Sequence, residues 1–251
     1  MKLLFLCFSL VAIMWAMPVD IEENEIYELE KKSVGFIIHI EGKAKVLSKE
    51  SIKKHKAKLG EALFEGDMLI TYNEAKVLLE LDDSSKIILN DNSELTFINE
   101  NNLKQSAGEI YYKIKKRKAS QGLKVETPFS IMGIKGTEFI IDARGKGQIA
   151  LNEGLVGIES LQENFELHKK KLIQEYEKYK SEQNAGFEAY KAEIEGKTVS
   201  YLKSFDLEAG KVINFLGAEV CVKVCEAKVD ETLMTEDLHK RFEMYKQMFK
   251  E

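Results

Sequence analysis

The chain has 251 residues, of which 44% are apolar and 31% are charged. This composition is typical of a globular protein and excludes a disordered chain, a collagen-like chain and a multi-pass membrane protein. The 37 basic and 42 acidic residues give a net charge of −5, which argues against a general nucleic-acid-binding protein, because phosphate binding requires a basic face.

The N-terminal residues predict export. An apolar run from Leu3 to Met17 follows Met1 and Lys2, and its length of about 15 residues is that of a signal peptide, whereas a membrane span needs about 20. We therefore expect a signal peptide at residues 1–16 and a periplasmic protein without a stable membrane span. The alternative is an uncleaved segment that anchors the chain to the inner membrane, with the remainder facing the periplasm.

Residues 17–33 are acidic and predict a short mature N-terminal segment, whereas residues 34–159 predict a mainly β domain. Short runs rich in Val, Ile, Leu, Phe and Tyr recur at 35–40, 68–71, 76–81, 86–89 and 94–98. Clusters of Gly, Asn, Asp and Ser separate these runs. Strands spaced in this way are typical of a β-sandwich, a β-roll or a solenoid-like pair of sheets.

The apolar period changes after Ser160. A stripe then follows steps of three and four, with Glu and Lys filling the other positions, at Leu161, Phe165, His168, Leu172, Tyr176 and Tyr179. This spacing predicts a long inserted amphipathic helix over residues 160–196. A helical hairpin that breaks at 184–186 is the alternative.

Residues 197–229 return to the composition of β-strands and predict a second segment of the same β domain. A C-terminal helix follows at 230–251, with Thr235 and the acidic Glu236 and Asp237 as its start signal. The apolar stripes of the two predicted helices are expected to pack on each other or to serve self-association, as in a coiled coil.

Six short motifs in the β region resemble the FecR family when they are read in order. They are Glu65-Gly66-Asp67-Met68-Leu69-Ile70-Thr71, Leu81-Asp82-Asp83-Ser84-Ser85, Thr127-Pro128, Gly136-Thr137-Glu138-Phe139, Glu153-Gly154-Leu155-Val156 and Leu207-Glu208-Ala209-Gly210. The same order recurs in that family, where the motifs are a Gly-Asp turn, an Asp-x-Ser hairpin, Thr-Pro, Gly-Thr-Glu-Phe, Glu-Gly-x-Val and Leu-x-Ala-Gly. No single motif is specific, but their succession is.

The resemblance implies a FecR-like periplasmic domain that senses or scaffolds rather than catalyses. Some family members are transmembrane anti-sigma regulators that relay the loading of an outer-membrane iron-siderophore receptor. The family-motif residues, which are structural or contact residues, are Gly66, Asp67, Thr71, Thr127, Pro128, Lys135, Gly136, Thr137, Glu138, Phe139, Gly154 and Gly210. Glycine permits positive φ at tight connections, and Asp67 can bond the backbone of a turn.

The sequence contains no pattern for catalysis or metal binding. The histidines at 39, 55, 168 and 239 lack metal-ligand spacing, and neither a Gly-x-Ser-x-Gly elbow nor a phosphate-binding glycine loop is present. The acidic clusters at 82–83 and 91 do not match a twelve-residue calcium loop. We therefore expect no catalytic residue, no metal and no cofactor.

Two further features leave alternatives open. Cys221 and Cys225 would lie about 13 Å apart on an extended strand, too far for a disulfide, whereas a bend would bring them together. They are therefore either two thiols or one disulfide. The basic runs 53–58 and 111–118 either contact an anionic lipid or polymer, or belong to solvated strands and turns.

These observations predict an exported, non-enzymatic FecR-domain protein. We expect it to bind another envelope protein, as a scaffold or signalling module, and not nucleic acid. The alternatives are a ligand-sensing periplasmic domain for a small molecule or glycan, and a sigma-factor regulator of the iron-uptake type.

Overall fold

Twenty strands and one helix make up the part of the chain that the computed structural model describes, which is residues 32–117, 122–161, 164–169, 199–217 and 227–249. The elements, in chain order, are β1 (Ser33–Glu41), β2 (Ala44–Leu47), β3 (His55–Lys56), β4 (Ala62–Phe64), β5 (Met68–Thr71), β6 (Lys76–Leu81), β7 (Lys86–Leu89), β8 (Glu94–Asn99), β9 (Asn102–Ala107), β10 (Glu109–Lys113), β11 (Leu123–Glu126), β12 (Ile131–Ile134), β13 (Glu138–Asp142), β14 (Gln148–Glu153), β15 (Leu155–Glu159), β16 (Phe165–Lys169), β17 (Val199–Leu202), β18 (Ser204–Glu208), β19 (Lys211–Gly217), β20 (Ala227–Leu233) and α1 (Glu236–Met248).

The strands form two sheets. The large sheet has eleven strands in the order β17-β16-β20-β19-β14-β13-β10-β7-β6-β1-β4, and the small sheet has nine in the order β18-β15-β12-β11-β9-β8-β5-β2-β3. The chain passes repeatedly from one sheet to the other and adds strands to both in nearly the same direction. The prediction of a mainly β fold with a pair of sheets is confirmed.

The main core lies between the two sheets. Because successive side chains of a strand point to opposite faces, β6 sends Val77, Leu79 and Leu81 into this core and Leu78 to the outer face. The other strands of the large sheet follow the same alternation. Their fully buried inward side chains include Ile37, Ile87, Leu89, Ile110, Tyr112, Phe139, Ile141, Ile149, Leu151 and Ile213.

Helix α1 covers the outer face of the large sheet. Six apolar residues stand side by side across six strands, each in register with the next, and form a continuous row: Leu78, Ile88, Tyr111, Ile140, Ala150 and Val212. Five strand spacings amount to about 24 Å, and a helix of 13 residues is about 20 Å long. The helix therefore matches the row and buries Leu238, Phe242 and Tyr245 against it.

Two buried carboxylates hold α1 in place on this row. Glu109 accepts a hydrogen bond of 2.5 Å from the Tyr245 hydroxyl and pairs with Arg241. Glu138 lies on the adjacent strand β13, four residues from Asp142, which stands opposite Glu109, and its carboxylate is 3.5 Å from Lys246 Nζ. A buried carboxylate is stable only when it is paired, so these contacts fix the position of the helix.

The C-terminal helix is confirmed at Glu236–Met248, and so is its start signal, since Thr235 accepts a hydrogen bond from the Leu238 amide at the N-cap. Its predicted beginning at residue 230 is wrong, because residues 230–233 belong to β20, which pairs with β19. Its apolar stripe packs on the large sheet. The predicted packing of this stripe against the inserted helix concerns residues 170–198, which lie outside the described residues.

The prediction of a long helix over 160–196 is wrong at its beginning. Residues Phe165–Lys169 form β16, which pairs with β17 and β20. Phe165 and Leu167, two residues apart, are both fully buried. Burial of every second side chain, as in a strand, therefore describes this stretch better than apolar residues at the helical spacing of three and four. The rest of the predicted helix, at 170–198, lies outside the described residues.

Two other predictions also concern residues outside the described ranges. They are the signal peptide at 1–16 and the pairing of Cys221 with Cys225. Within the described ranges, no helix combines the length and the apolarity needed to cross a membrane.

Candidate binding groove on the small sheet

Two of the family-motif glycines are required by the backbone. Gly136 has φ +119° and Gly154 has φ +92°, which are values that side chains with a Cβ rarely adopt. A Cβ at Gly154 would lie 2.7 Å from the carbonyl oxygen of Gly136, and a Cβ at Gly136 would lie 2.7 Å from Lys116 Cα. The connections that precede β13 and β15 therefore pass too close together for any other residue.

The Gly-Asp turn before β5 is held by the buried Asp67 side chain. Its carboxylate accepts hydrogen bonds from the amides of Phe64 at 2.9 Å and Lys49 at 3.2 Å. At the other end of β5, the Thr71 hydroxyl donates to the carbonyl of Asn90 at 2.5 Å and accepts from the Ser93 amide at 2.9 Å. Both motif residues therefore stabilise turns.

The Thr-Pro motif and the Leu-x-Ala-Gly motif also form turns. The Thr127 hydroxyl accepts from the amide of Ser130 at 3.0 Å and donates to its carbonyl at 2.9 Å, which closes the connection between β11 and β12 around the exposed Pro128. Gly210 has φ +80° in the turn that joins β18 to β19.

The Gly-Thr-Glu-Phe motif is almost entirely buried. Phe139 stacks on Tyr112 in the main core, with ring centroids 4.8 Å apart. Thr137 is buried before the strand, and Glu138 faces α1. Burial and the neighbouring Glu138 carboxylate raise the pKa of the Tyr111 hydroxyl, so this tyrosine stays neutral beneath the helix.

Among the family-motif residues, Lys135 has the one charged side chain that is exposed, since Asp67 and Glu138 are buried. Lys135 lies at the rim of a depression on the outer face of the small sheet. The motifs mostly specify the fold, and Lys135 at this depression is their one exposed charged side chain.

A pair of glycines forms the floor of the depression. Gly133 of β12 is directly opposite Gly157 of β15, with Lys124 of β11 beside the first and Asp206 of β18 beside the second. Hollows of about 590 and 630 Å³ extend from the glycine pair in two directions, and these four residues line both. We call the joint depression the glycine groove.

Neither glycine of the floor is required by the fold. A Cβ at Gly133 would meet no atom within 4 Å, and a Cβ at Gly157 would make an ordinary contact of 3.4 Å with Asp206. Neither residue has a positive φ. Glycine inside a strand destabilises it by about 0.5–1 kcal/mol relative to alanine, and it often marks a place where a ligand or another backbone approaches closely.

The walls of the groove have opposite charges. Lys124 and Asp206 stand three strand spacings apart, about 14 Å, and neither forms an ion pair with a described residue. Ile131 and Glu159 lie at one end of the glycine pair, and Lys135 and Leu155 at the other. The site therefore offers a flat peptide floor, an aliphatic contact at each end, and charges of both signs.

The described residues contain no group of three or more His, Cys, Asp or Glu side chains arranged to hold a metal ion. His39 and His55 lie at the surface, where each ring contacts one glutamate. The glycine groove presents the charged side chains of Lys124 and Asp206 and a peptide floor.

Sequence reasoning missed Gly133 and Gly157. The available signal was a glycine in the middle of an otherwise apolar strand, in Met132-Gly133-Ile134 and again in Val156-Gly157-Ile158. That they face each other depends on the pairing of β12 with β15.

The fold defines a class of protein, a two-sheet β protein with turns built from short motifs and a groove on the outer face of the small sheet. Residues 67–157 match the model of a known family, FecR protein. The resemblance to this family is thus confirmed over a stretch that contains most of the motif residues. The same stretch contains three of the four central residues of the groove, namely Lys124, Gly133 and Gly157.

Solved structures provide a more distant comparison. Two crystal structures, at 1.65 Å and 2.50 Å resolution, of a protein described as a "putative anti-sigma factor" from Parabacteroides distasonis ATCC 8503 align with 66% of this chain. The sequence identity is 10% and the TM-scores are 0.42 and 0.41. The chain spans 59% of the length of that protein. None of the curated proteins matches the sequence.

Proposed function

We propose that this protein is a non-catalytic FecR-domain module of the bacterial cell envelope, and that its glycine groove binds an extended segment of another envelope protein. The observation that supports the proposal is the pair of facing glycines that the backbone does not need. A bare strand surface lets another peptide lie flat on the sheet, and side chains on both sides can then reach the walls.

The charges of the groove favour a peptide over a simple ion. An extended peptide rises about 3.3 Å per residue, so about four residues cover the 14 Å between Lys124 and Asp206. A segment that crosses the groove with an acidic residue near Lys124 or Lys135 and a basic residue near Asp206 would satisfy both walls. Pairs of this kind act mainly on specificity and on the rate of association.

Site-specific photo-crosslinking in living cells tests this proposal. A photoreactive amino acid at Lys135 or Ser204 places the probe on either side of the groove, and one at Lys240 on α1 is the control. We expect both groove probes to capture the same protein and the Lys240 probe not to capture it.

The groove itself is then altered. Gly133→Val fills the floor, and Thr96→Val is the control, because it places the same valine side chain on another strand of the small sheet outside the groove by exchanging a hydroxyl for a methyl group. We expect Gly133→Val to abolish the crosslinks and Thr96→Val to retain them. Crosslinks that persist in Gly133→Val, or equal capture from Lys240, would contradict the proposal.

The size of the hollows supports a second candidate, a ligand-sensing domain. Volumes of about 590 and 630 Å³ fall within the range of about 300–1,000 Å³ for small-molecule sites. A thermal-shift screen with siderophores, metals and cell-wall fragments distinguishes the two functions. A ligand that stabilises the wild type but not Gly133→Val, together with no crosslinked protein, would favour sensing.

The envelope location in this proposal is supported by the N-terminal apolar run and by the FecR match. The buried or turn-forming state of most motif residues supports the non-catalytic part of the proposal, since their side chains are used by the fold.

A further inference from the structure

The two most exposed large apolar side chains of the described residues are close in sequence. Ile52 is 99% exposed and Leu59 is 72% exposed. They lie in the loops on either side of β3, which is the edge strand of the small sheet. Isolated apolar side chains on a surface are ordinary, so their neighbours decide whether these two have a role.

The loop with Leu59 is held in one conformation. The Glu61 amide donates to the carbonyl of Lys58 at 3.2 Å, and the Glu61 carboxylate accepts from the Lys58 amide at 2.8 Å. The Gly60 amide in addition donates to the carbonyl of Ile37 at 2.8 Å. Leu59 is therefore kept at the tip of a closed turn, where it cannot fold back onto the protein.

The loop with Ile52 is held in the same manner. The Ser51 amide donates to the carbonyl of Ser48 at 2.9 Å. The Ser51 hydroxyl accepts from the Lys53 amide at 3.1 Å and donates to the Lys53 carbonyl at 2.9 Å. The bonds on both sides of Ile52 direct its side chain away from the sheet.

Lysines surround the two aliphatic side chains. Lys53, Lys54, Lys56 and Lys58 are exposed, and none of them forms an ion pair with a described residue. The stretch 51–60 contains no acidic residue, although the whole chain has a net charge of −5. In addition, Lys45 of β2 stands directly opposite Lys56, an arrangement of like charges that destabilises a strand pair. The concentration of positive charge therefore does not serve the stability of the sheet.

Protection of an exposed sheet edge explains part of this pattern. Lysines on edge strands prevent pairing with other chains. Two outward aliphatic side chains beside the same edge act in the opposite direction, because they favour association. Lysines and aliphatic tips together are instead the chemistry that binds an anionic bilayer, where lysines approach the phosphates and aliphatic groups enter the interface.

We propose that the edge formed by residues 51–60, here called the β3 edge, binds anionic phospholipid membranes. Ile52 and Leu59 enter the headgroup region, and the four lysines contact lipid phosphates. This surface is distinct from the glycine groove, which lies toward the opposite edge of the small sheet, at β11, β12, β15 and β18. The inference does not depend on what the groove binds.

Vesicle sedimentation tests the proposal with a chain that begins at residue 17. This start removes the apolar N-terminal run, which would itself bind vesicles, and retains the whole unit that begins at Lys32. We expect binding to vesicles of phosphatidylglycerol and phosphatidylcholine, none to phosphatidylcholine alone, and weakening by salt. Each neutralised lysine lowers the partition coefficient about five-fold at low salt, so the double variant Lys53→Gln/Lys54→Gln lowers it about 25-fold. Lys240→Gln on α1 is the matched control.

The tip is tested by fluorescence. The single tryptophan of the sequence, Trp15, is absent from the chain that begins at residue 17, so Ile52→Trp introduces one reporter at the proposed contact. We expect its emission to shift to shorter wavelength with phosphatidylglycerol vesicles, and no shift for Leu233→Trp, an exposed position on β20.

Failure to bind phosphatidylglycerol vesicles would overturn the proposal, and so would undiminished binding by the double lysine variant. Equal binding to soluble polyglutamate, without a fluorescence shift at Ile52→Trp, would identify an acidic macromolecule as the target and would also overturn it.

Discussion

Alanine substitutions at two glycines three positions apart are expected to change stability in opposite directions. At Gly136, φ is +119° and a Cβ would lie 2.7 Å from Lys116 Cα. The unfavourable dihedral destabilises by about 1–3 kcal/mol, and displacement of the neighbouring backbone adds about 1–3 kcal/mol. At Gly133 there is neither strain nor overlap, so alanine stabilises the strand by about 0.5–1 kcal/mol.

Thermal unfolding monitored by circular dichroism measures both effects. For a domain of this size each kcal/mol moves Tm by about 2–4 °C. We therefore expect Gly136→Ala to melt about 4–24 °C lower than the wild type and Gly133→Ala to melt about 1–4 °C higher. Lys135→Ala, which removes an exposed side chain between them, is the control and should leave Tm nearly unchanged.

Two results would refute this reasoning. A wild-type Tm for Gly136→Ala would mean that the close approach of the two connections does not require glycine. A lower Tm for Gly133→Ala would mean that the glycine floor is structural, and the argument for the groove would fail. If Gly133→Ala is more stable but loses the crosslinked partner, the glycine is retained for binding.

Phe242→Ala on α1 should lower the free energy of unfolding by about 3–5 kcal/mol in urea titrations, because the ring is buried on the large sheet. Met244→Ala, at an exposed position of the same helix, should change it by less than about 0.5 kcal/mol. Equal effects would contradict the docking of the helix. Burial alone would raise the pKa of Asp83, but hydrogen bonds, chiefly from Arg117, outweigh it and hold this pKa below its usual 3.8. The stabilisation from the Asp83–Arg117 pair is present above the pKa of Asp83 in the unfolded chain and is lost as pH falls through its pKa in the folded protein. Asp83→Asn should therefore be less stable than the wild type at pH 7 and should approach the wild-type stability below about pH 3. A stability difference that does not change with pH would exclude the charged pair as its cause. N-terminal sequencing of the exported protein should begin just after Ala16, and a protein that keeps residue 1 and sediments with membranes would establish the anchor instead.

The strands were the part of the fold that local sequence could predict. The runs at 68–71, 76–81 and 86–89 agree with β5, β6 and β7, because each is an apolar run bounded by turn-forming residues. The C-terminal helix was predictable for a similar reason, since Thr235 provides a start signal and its apolar residues repeat at helical spacing. The motif glycines were also recognisable as turn residues.

Burial by distant strands decided the rest. Phe165 fits both a helical stripe and an alternating strand, and its pairing with β17 and β20, more than thirty and more than sixty residues later in the chain, makes it part of a sheet. The helical spacing of α1 predicted a buried face but not which surface would bury it. The row on the large sheet that does so assembles side chains from six strands.

The glycine groove shows the same division between sequence and tertiary structure. The sequence contains a signal that Gly133 and Gly157 each lie inside a strand, because each stands between apolar residues. It could not determine that the two face each other between Lys124 and Asp206, because that arrangement depends on the register of four strands that are brought together only by folding. Local patterns specify elements, whereas pairing and burial, which involve residues far apart in the chain, specify the site.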